Sequence, residues 1–285
     1  ISRVLELSST TGISNNTLTF LRAHIGSLAS TPLSAVSKRQ VPQSTVRIFD
    51  PVSNQWGDGP NLPSPIHRGS VVSLSDRILI MGGLDAENNR TGEVYELLSG
   101  SSTWATKTSM ITSRSATSSV VLDSKVWVVG GIDFSWSDKV EIFDPSTNSW
   151  SSGPSLNSAR VWPSAWEADG TIYVAGGFDG FNHLDSIEKY DAATNTWKIV
   201  GTLMRPASNM GMAKINQQVY LIGGADGNGT LSNIQILNND AVSQISCGAN
   251  HSIFMLEDKS VWGMGSGANG ELGNGSISDK LRPTK

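Results

Sequence analysis

Four pairs of adjacent glycines, Gly82-Gly83, Gly130-Gly131, Gly176-Gly177 and Gly223-Gly224, recur along this chain at steps of 48, 46 and 47 residues. Four tryptophans, Trp56, Trp104, Trp150 and Trp197, recur at steps of 48, 46 and 47 in the same phase. Two series with one period mean a repeated unit that buries its apolar faces against copies of itself. Each Gly pair closes a short apolar run: Ile78–Met81, Val126–Val129, Ile172–Ala175 and Val219–Ile222. Runs of this length, rich in β-branched residues, read as buried strands. A strand precedes each, as at Ser118–Leu122 or Met210–Ile215, through a turn such as Asp123-Ser124 or Asn216-Gln217. After the Gly pair come a polar loop and an alternating strand: Val94–Leu97, Val140–Phe143, Ile187–Tyr190. A turn such as Asp144-Pro145-Ser146-Thr147-Asn148 then leads into a short strand at the Trp. Four strands per unit of about 47 residues predict an all-β chain, a β-propeller of four-stranded blades.

The Gly doublet, the aromatic of the third strand and an Asp-Pro-x-x-Asn-x-Trp turn together resemble the kelch repeat. The turns at Asp50-Pro51/Asn54-Trp56 and Asp144-Pro145/Asn148-Trp150 match best. Asp191/Asn195-Trp197 lacks the Pro, and the Trp104 unit lacks both Asp and Asn. The resemblance spans about residues 46–237 and implies three full and two partial blades, because the next Trp of the series would fall near Gln244. From Ile245 to Gly275 a different pattern begins: Cys247-Gly248, His251-Ser252, Val261-Trp262-Gly263, Gly265 and Gly270-Glu271-Leu272-Gly273. It is similar to one regulator-of-chromosome-condensation repeat, a further blade-like unit, cut short at Lys285. Residues 1–45 read as a degenerate blade, a helix with Leu18, Leu21, Ile25 and Leu28 on one face, or a disordered leader. The expected organisation is 1–45 leader, 46–240 kelch propeller and 241–285 the single terminal repeat. The incomplete units and the absence of an initial Met suggest a fragment of a longer protein.

The signature residues read as structural. Paired glycines reach φ values barred to other residues and allow close backbone approach. The Trp fills space between neighbouring blades.

Composition narrows function by exclusion. Charged residues make up 16% of the chain, against about 25% in an average protein. The net charge is −4, so no global basic field recruits nucleic acid. No window approaches the roughly 18 apolar residues of a spanning helix. The one cysteine, Cys247, precludes an internal disulfide framework and leaves the compartment open. An extracellular or cell-surface setting is the expectation.

Candidate chemistry is thin, and no cofactor is expected. Gly265–Gly270 has the letters of a dinucleotide fingerprint but lacks the following helix and acidic residue. Asp226–Thr230 resembles the start of a calcium loop, but Leu231 and Leu237 stand where Gly and Glu are required. His24, His67, His183 and His251 have no metal spacing. Asn-x-Ser/Thr sequons occur at Asn89, Asn228 and Asn250.

The informative feature is arginine. Arg68, Arg114, Arg160 and Arg205 recur at steps of 46, 46 and 45, just before the first strand of each unit. In kelch propellers that strand lines the channel, and the preceding loop opens on the same face as the loop after Gly-Gly. Those latter loops carry Asp85, Asn88 and Arg90; Asp133, Phe134 and Trp136; Asp179, Phe181 and His183; and Asp226 and Asn228. Arginine forks and exposed aromatics on loops are recognition chemistry. The expected ligand set is therefore Arg68, Arg114, Arg160, Arg205, Trp136, Phe181 and His183. The alternative for each Arg is a partner within the ring, a repeat acid or backbone carbonyls. The reading that follows is a non-catalytic propeller recognising a protein or glycan, anionic in character. A sugar isomerase or oxidase on a kelch scaffold, or a structural cell-surface repeat, are the alternatives.

Overall fold

The computed structural model describes residues 20–22, 44–50, 52–215, 218–238, 242–247, 251–256, 261–266, 272, 278 and 280–284. Within them the fold is all-β, and no helix is long and apolar enough to cross a membrane. The chain divides into two compact units, residues 1–213 with 220–235, and 214–219 with 236–285.

The first sheet holds β1 (Phe20–Arg22), β2 (Arg47–Asp50) and β3 (Gln55–Asp58). Three complete four-stranded meanders follow. They are β4 (Ser70–Leu74), β5 (Arg77–Met81), β6 (Val94–Leu98) and β7 (Ala105–Lys107); β8 (Ser118–Leu122), β9 (Lys125–Val129), β10 (Val140–Asp144) and β11 (Ser149–Ser152); and β12 (Ser164–Ala168), β13 (Thr171–Ala175), β14 (Ser186–Asp191) and β15 (Thr196–Thr202). A three-stranded sheet comes next, of β16 (Gly211–Ile215), β17 (Gln218–Ile222) and β20 (Ile234–Asn238). Between its strands lies the small hairpin β18 (Ala225–Asp226) and β19 (Gly229–Thr230). The terminal repeat forms its own sheet of β21 (Val242–Cys247), β22 (His251–Leu256), β23 (Val261–Gly265) and β24 (Lys280–Thr284). The helical-face residues Leu18, Ile25 and Leu28, the turn Asn216-Gln217 and the glycines of the dinucleotide-like string beyond Gly265 lie outside the described residues.

The blades stack as their alternation requires. In β9, Val126 and Val128 join a cluster with Leu79, Met81 and Val94 of the preceding blade. Trp127 and Val129, pointing the other way, join Ala165, Ile172 and Val174 of the following one. Successive strand residues face opposite sides, so a strand sandwiched between two blades is apolar throughout. The first strand β8 lies beside both β4 and β12, which makes first strands the innermost.

Local backbone chemistry explains the signatures. Gly82 and Gly83 take φ of 62° and 106°, and the other three pairs take like values. A Cβ on Gly82 would stand 2.5 Å from the Arg114 carbonyl oxygen; on Gly130 and Gly176 it would collide with those of Arg160 and Ala207. Those carbonyls accept the N–H of Gly83, Gly131 and Gly177, each at 2.8 Å, tying each blade to the next. In the Asp-x-x-x-Asn turns the Asn is the left-handed residue, with Asn54, Asn148 and Asn195 at φ 54°, 51° and 52°, a conformation Asn tolerates well. Asp50, Asp144 and Asp191 accept N–H groups from within the same turns.

The repeat Trp does more than fill space. Nε1 of Trp104, Trp150 and Trp197 donates to the carbonyls of Pro60, Thr108 and Pro154 in the segment entering the blade, at 2.7, 2.8 and 2.9 Å. No described residue offers Trp56 such a partner, and Trp56 is 49% exposed.

Candidate functional site

The arginines do not share one blade position. Arg114 and Arg160 each stand sixteen residues before the first Gly of their pair, and their guanidinium groups reach back to its carbonyl, at 2.5 Å for Gly130 and 2.8 Å for Gly176. At that place the other blades carry Ile66 and Ala207, as the matching bridges His67–Leu84, Ser115–Ile132, Val161–Phe178 and Ser208–Ala225 show. Arg68 instead aligns with Ala116, Trp162 and Asn209, and Arg205 aligns with Thr112 and Ser158. The even arginine spacing crosses a repeat whose own steps are uneven, so it does not mark a phase.

Arg114 and Arg160 are wholly enclosed. Besides the glycine carbonyls, Arg114 donates to the Lys139 carbonyl at 2.9 Å and pairs with Glu141 at 3.2 Å. Arg160 donates to the carbonyl and hydroxyl of Ser186 and pairs with Glu188. Burial lowers the pKa of both guanidinium groups from the ordinary value, and Glu141 and Glu188 oppose that. The same carboxylates accept from the preceding linker: Glu141 from the N–H groups of Ile111 and Thr112, Glu188 from Asn157. Where the Arg is absent and Ala207 stands in its place, the third-strand residue is the neutral Gln235, which binds both the N–H and the carbonyl of Arg205. Where Ile66 stands there, Glu96 is paired by Arg77 and Lys107. A buried charge needs a counter-charge, and each blade that keeps the third-strand Glu supplies one. These two arginines therefore fall inside the ring and not at its mouth. Arg205 is half-exposed but committed, its Nε 2.8 Å from Asp226.

Arg68 is different. Arg68, Ala116, Trp162 and Asn209 all have φ between 50° and 58°. They form a belt: Ala116 N–H donates to the Arg68 carbonyl, Trp162 to Ala116, and Asn209 to Trp162, at 2.9, 2.8 and 2.9 Å. The belt precedes the innermost strands, so it rims the channel. The Arg68 guanidinium lies 5.7 Å over the Trp162 ring, a cation–π contact across the intervening blade. Among the described residues no carboxylate pairs with it. Trp162 was not singled out by the arginine spacing; alignment on the Gly pairs finds it.

The loops after the Gly pairs are organised by their own acids. Asp85 accepts the N–H groups of Glu87 and Asn89, and Asp133 that of Ser135 together with Lys139 Nζ. The N–H groups of Asn182 and Phe181 hold the Asp179 carboxyl below the ordinary carboxylate range; the Asn228 N–H and Arg205 do the same for Asp226. With these acids engaged by their own loops, the exposed side chains include three aromatics. Phe134, Trp136 and Phe181 are all exposed, and the Trp136 and Phe181 rings lie 6.3 Å apart. Trp136 crosses onto the next loop and rests on Gly180, where a Cβ would stand 2.6 Å from its Cε2. His183 lies on the same loop as Phe181, its ring 5.1 Å from that of Phe178, with Nδ1 enclosed. Gly180→Ala is thus expected to displace Trp136 and change its fluorescence. It adds strain at φ 102° that costs on the order of 1 kcal/mol; an unchanged Trp136 signal would refute the seating.

Four-stranded blades joined through Gly-Gly contacts and cross-blade tryptophans define a kelch-type β-propeller. The chain belongs to the kelch-repeat family: the model of the KLHDC2/KLHL20/DRC7 kelch-repeats domain matches residues 35–224. Residues 242–271 match the regulator of chromosome condensation (RCC1) repeat. The chain is 31% identical over 143 residues to spermatocyte protein spe-26 of Caenorhabditis elegans, covering 46% of this chain and 25% of that protein. It is 28% identical over 135 residues to Kelch-like protein 40 of Xenopus tropicalis, covering 47% and 22%. It thus spans about a quarter of the length of these relatives. The solved structure of YjhT superposes with a TM-score of 0.61 at 13% identity, over 77% of this chain and 75% of that one, a likeness of fold.

Proposed function

We propose that this propeller is a non-catalytic interaction module that binds an acidic segment of a partner protein across Arg68, Trp162, Trp136 and Phe181, with His183 at the edge. The observation that carries the reading is an asymmetry of use. Asp85, Asp133, Asp179 and Asp226 are each occupied by their own loop or by Lys139 or Arg205, whereas among the described residues Arg68 has no carboxylate partner, and three aromatics stand exposed. Exposed aromatics and a guanidinium not taken up by a carboxylate are favourable anchors for a carboxylate-bearing chain. Kinship with kelch-like proteins supports a scaffold for protein interaction. Among the described residues the buried charge pairs Arg114–Glu141 and Arg160–Glu188 belong to the ring.

A peptide array and a glycan array, probed with the protein at matched salt, test this. The expected hits are acidic peptides. Arg68→Ala and Trp136→Ala each weaken them, by roughly tenfold for the aromatic anchor, with the melting transition unchanged. Hits confined to glycans, or binding indifferent to both substitutions, would sink the reading.

A further inference from the structure

His67 precedes Arg68 at the start of the belt, and the residue is only 8% exposed. Both ring nitrogens are enclosed and lack a hydrogen-bond partner among the described residues. In the other blades the same place is held by Ser115, Val161 and Ser208, so the backbone bridge there does not require an imidazole. We propose that His67 makes the channel mouth acid-sensitive: protonation drives the ring from its enclosed site, loosens residues 67–68 and weakens binding at the rim.

The physical argument concerns what an imidazolium needs. It carries two N–H donors and a charge, and a site without acceptors accommodates neither. Two charged groups act on the ring. Arg68 is a like charge on the adjoining residue. Asp85, on the loop after β5, is the counter-charge, but its carboxylate already accepts from Glu87 and Asn89. Burial first, and Arg68 second, hold the His67 pKa below its ordinary 6.5, with Asp85 opposing. A depressed imidazole pKa leaves stability untouched above the ordinary value and removes it as pH falls below. The Arg68 carbonyl is the first acceptor of the belt, receiving Ala116 N–H. Movement of residue 67 therefore bears directly on the guanidinium that faces Trp162.

The consequence for binding rests on the rim reading above, whereas the acid sensitivity is measurable without a partner. Urea unfolding of the 285-residue protein and of His67→Val, a residue the repeat itself uses at this place, is compared at about pH 7.5 and about pH 5.5. The wild-type midpoint should fall with pH more than the variant's. His67→Gln serves as a second variant if the first does not fold. In parallel, an oligo-aspartate peptide should lose roughly fivefold or more in affinity for wild type over that range and little for the variant. Midpoints that move equally in all proteins overturn the inference. So does tighter wild-type binding at the lower pH, which would mean that the charged ring stays and attracts the anion. Diverging midpoints with no peptide binding at either pH uphold the acid sensitivity and defeat the rim reading instead.

Discussion

Arg160→Ala is expected to destabilise the protein by about 3–5 kcal/mol, the cost of breaking a buried ion pair on one side. Arg160 and Glu188 are both 0% exposed at the side chain. Removing the guanidinium strips a donor from the Gly176 and Ser186 carbonyls and leaves Glu188 charged in the interior, with Asn157 as its remaining donor among the described residues. Glu188→Ala should be comparably severe, since it orphans both Arg160 and the Asn157 N–H. The double replacement Arg160→Ala with Glu188→Gln should recover much of the loss, because Ala207 with Gln235 is that arrangement, already present in this chain. Arg68→Ala, by contrast, should change stability by less than about 1 kcal/mol, as a surface cation–π contact. Chemical unfolding of the four variants decides it. A fully stable Arg160→Ala with impaired peptide binding would return that guanidinium to the rim.

Trp197→Ala should cost about 3–5 kcal/mol, the range for truncating a buried aromatic. The residue is 4% exposed, in the cluster between the blade of β8–β11 and the blade of β12–β15, and its ring packs with Trp127 through Tyr190. Its Nε1 also satisfies the Pro154 carbonyl, which the truncation leaves without that donor. Trp197→Phe keeps most of the packing and isolates the hydrogen bond, at about 1 kcal/mol. Trp150→Ala should fall below Trp197→Ala because Trp150 is only partly buried. Trp56→Ala, at a ring half in solvent, should cost less than about 1 kcal/mol. Thermal or urea unfolding should return that order, Trp197 above Trp150 above Trp56. Equal losses at Trp197 and Trp56 would mean that the cross-blade contact is not what stabilises the repeat.

The sequence by itself determined the repeat, its period and its strands. The apolar run, the doublet and the Trp are local patterns written in chain order, and Ser118–Leu122 was bounded correctly from them. The left-handed Asn of the Asp-Pro-x-x-Asn turn is equally local, because one residue's conformational tolerance sets it. What only the tertiary structure decided is which polar groups remain free. Arg114 and Arg160 looked like Arg68 because spacing counts residues and not blade position. Their fate depends on Glu141 and Glu188, 27 and 28 residues onward in sequence yet in contact once the meander closes. Trp136 is a loop residue until the neighbouring blade brings Gly180 beneath it. The channel rim exists only because four residues from four successive repeats meet in one hydrogen-bonded belt, and no window of chain contains more than one of them. Strand identity is a property of a few neighbours in sequence; availability for binding is a property of what the fold has already paired.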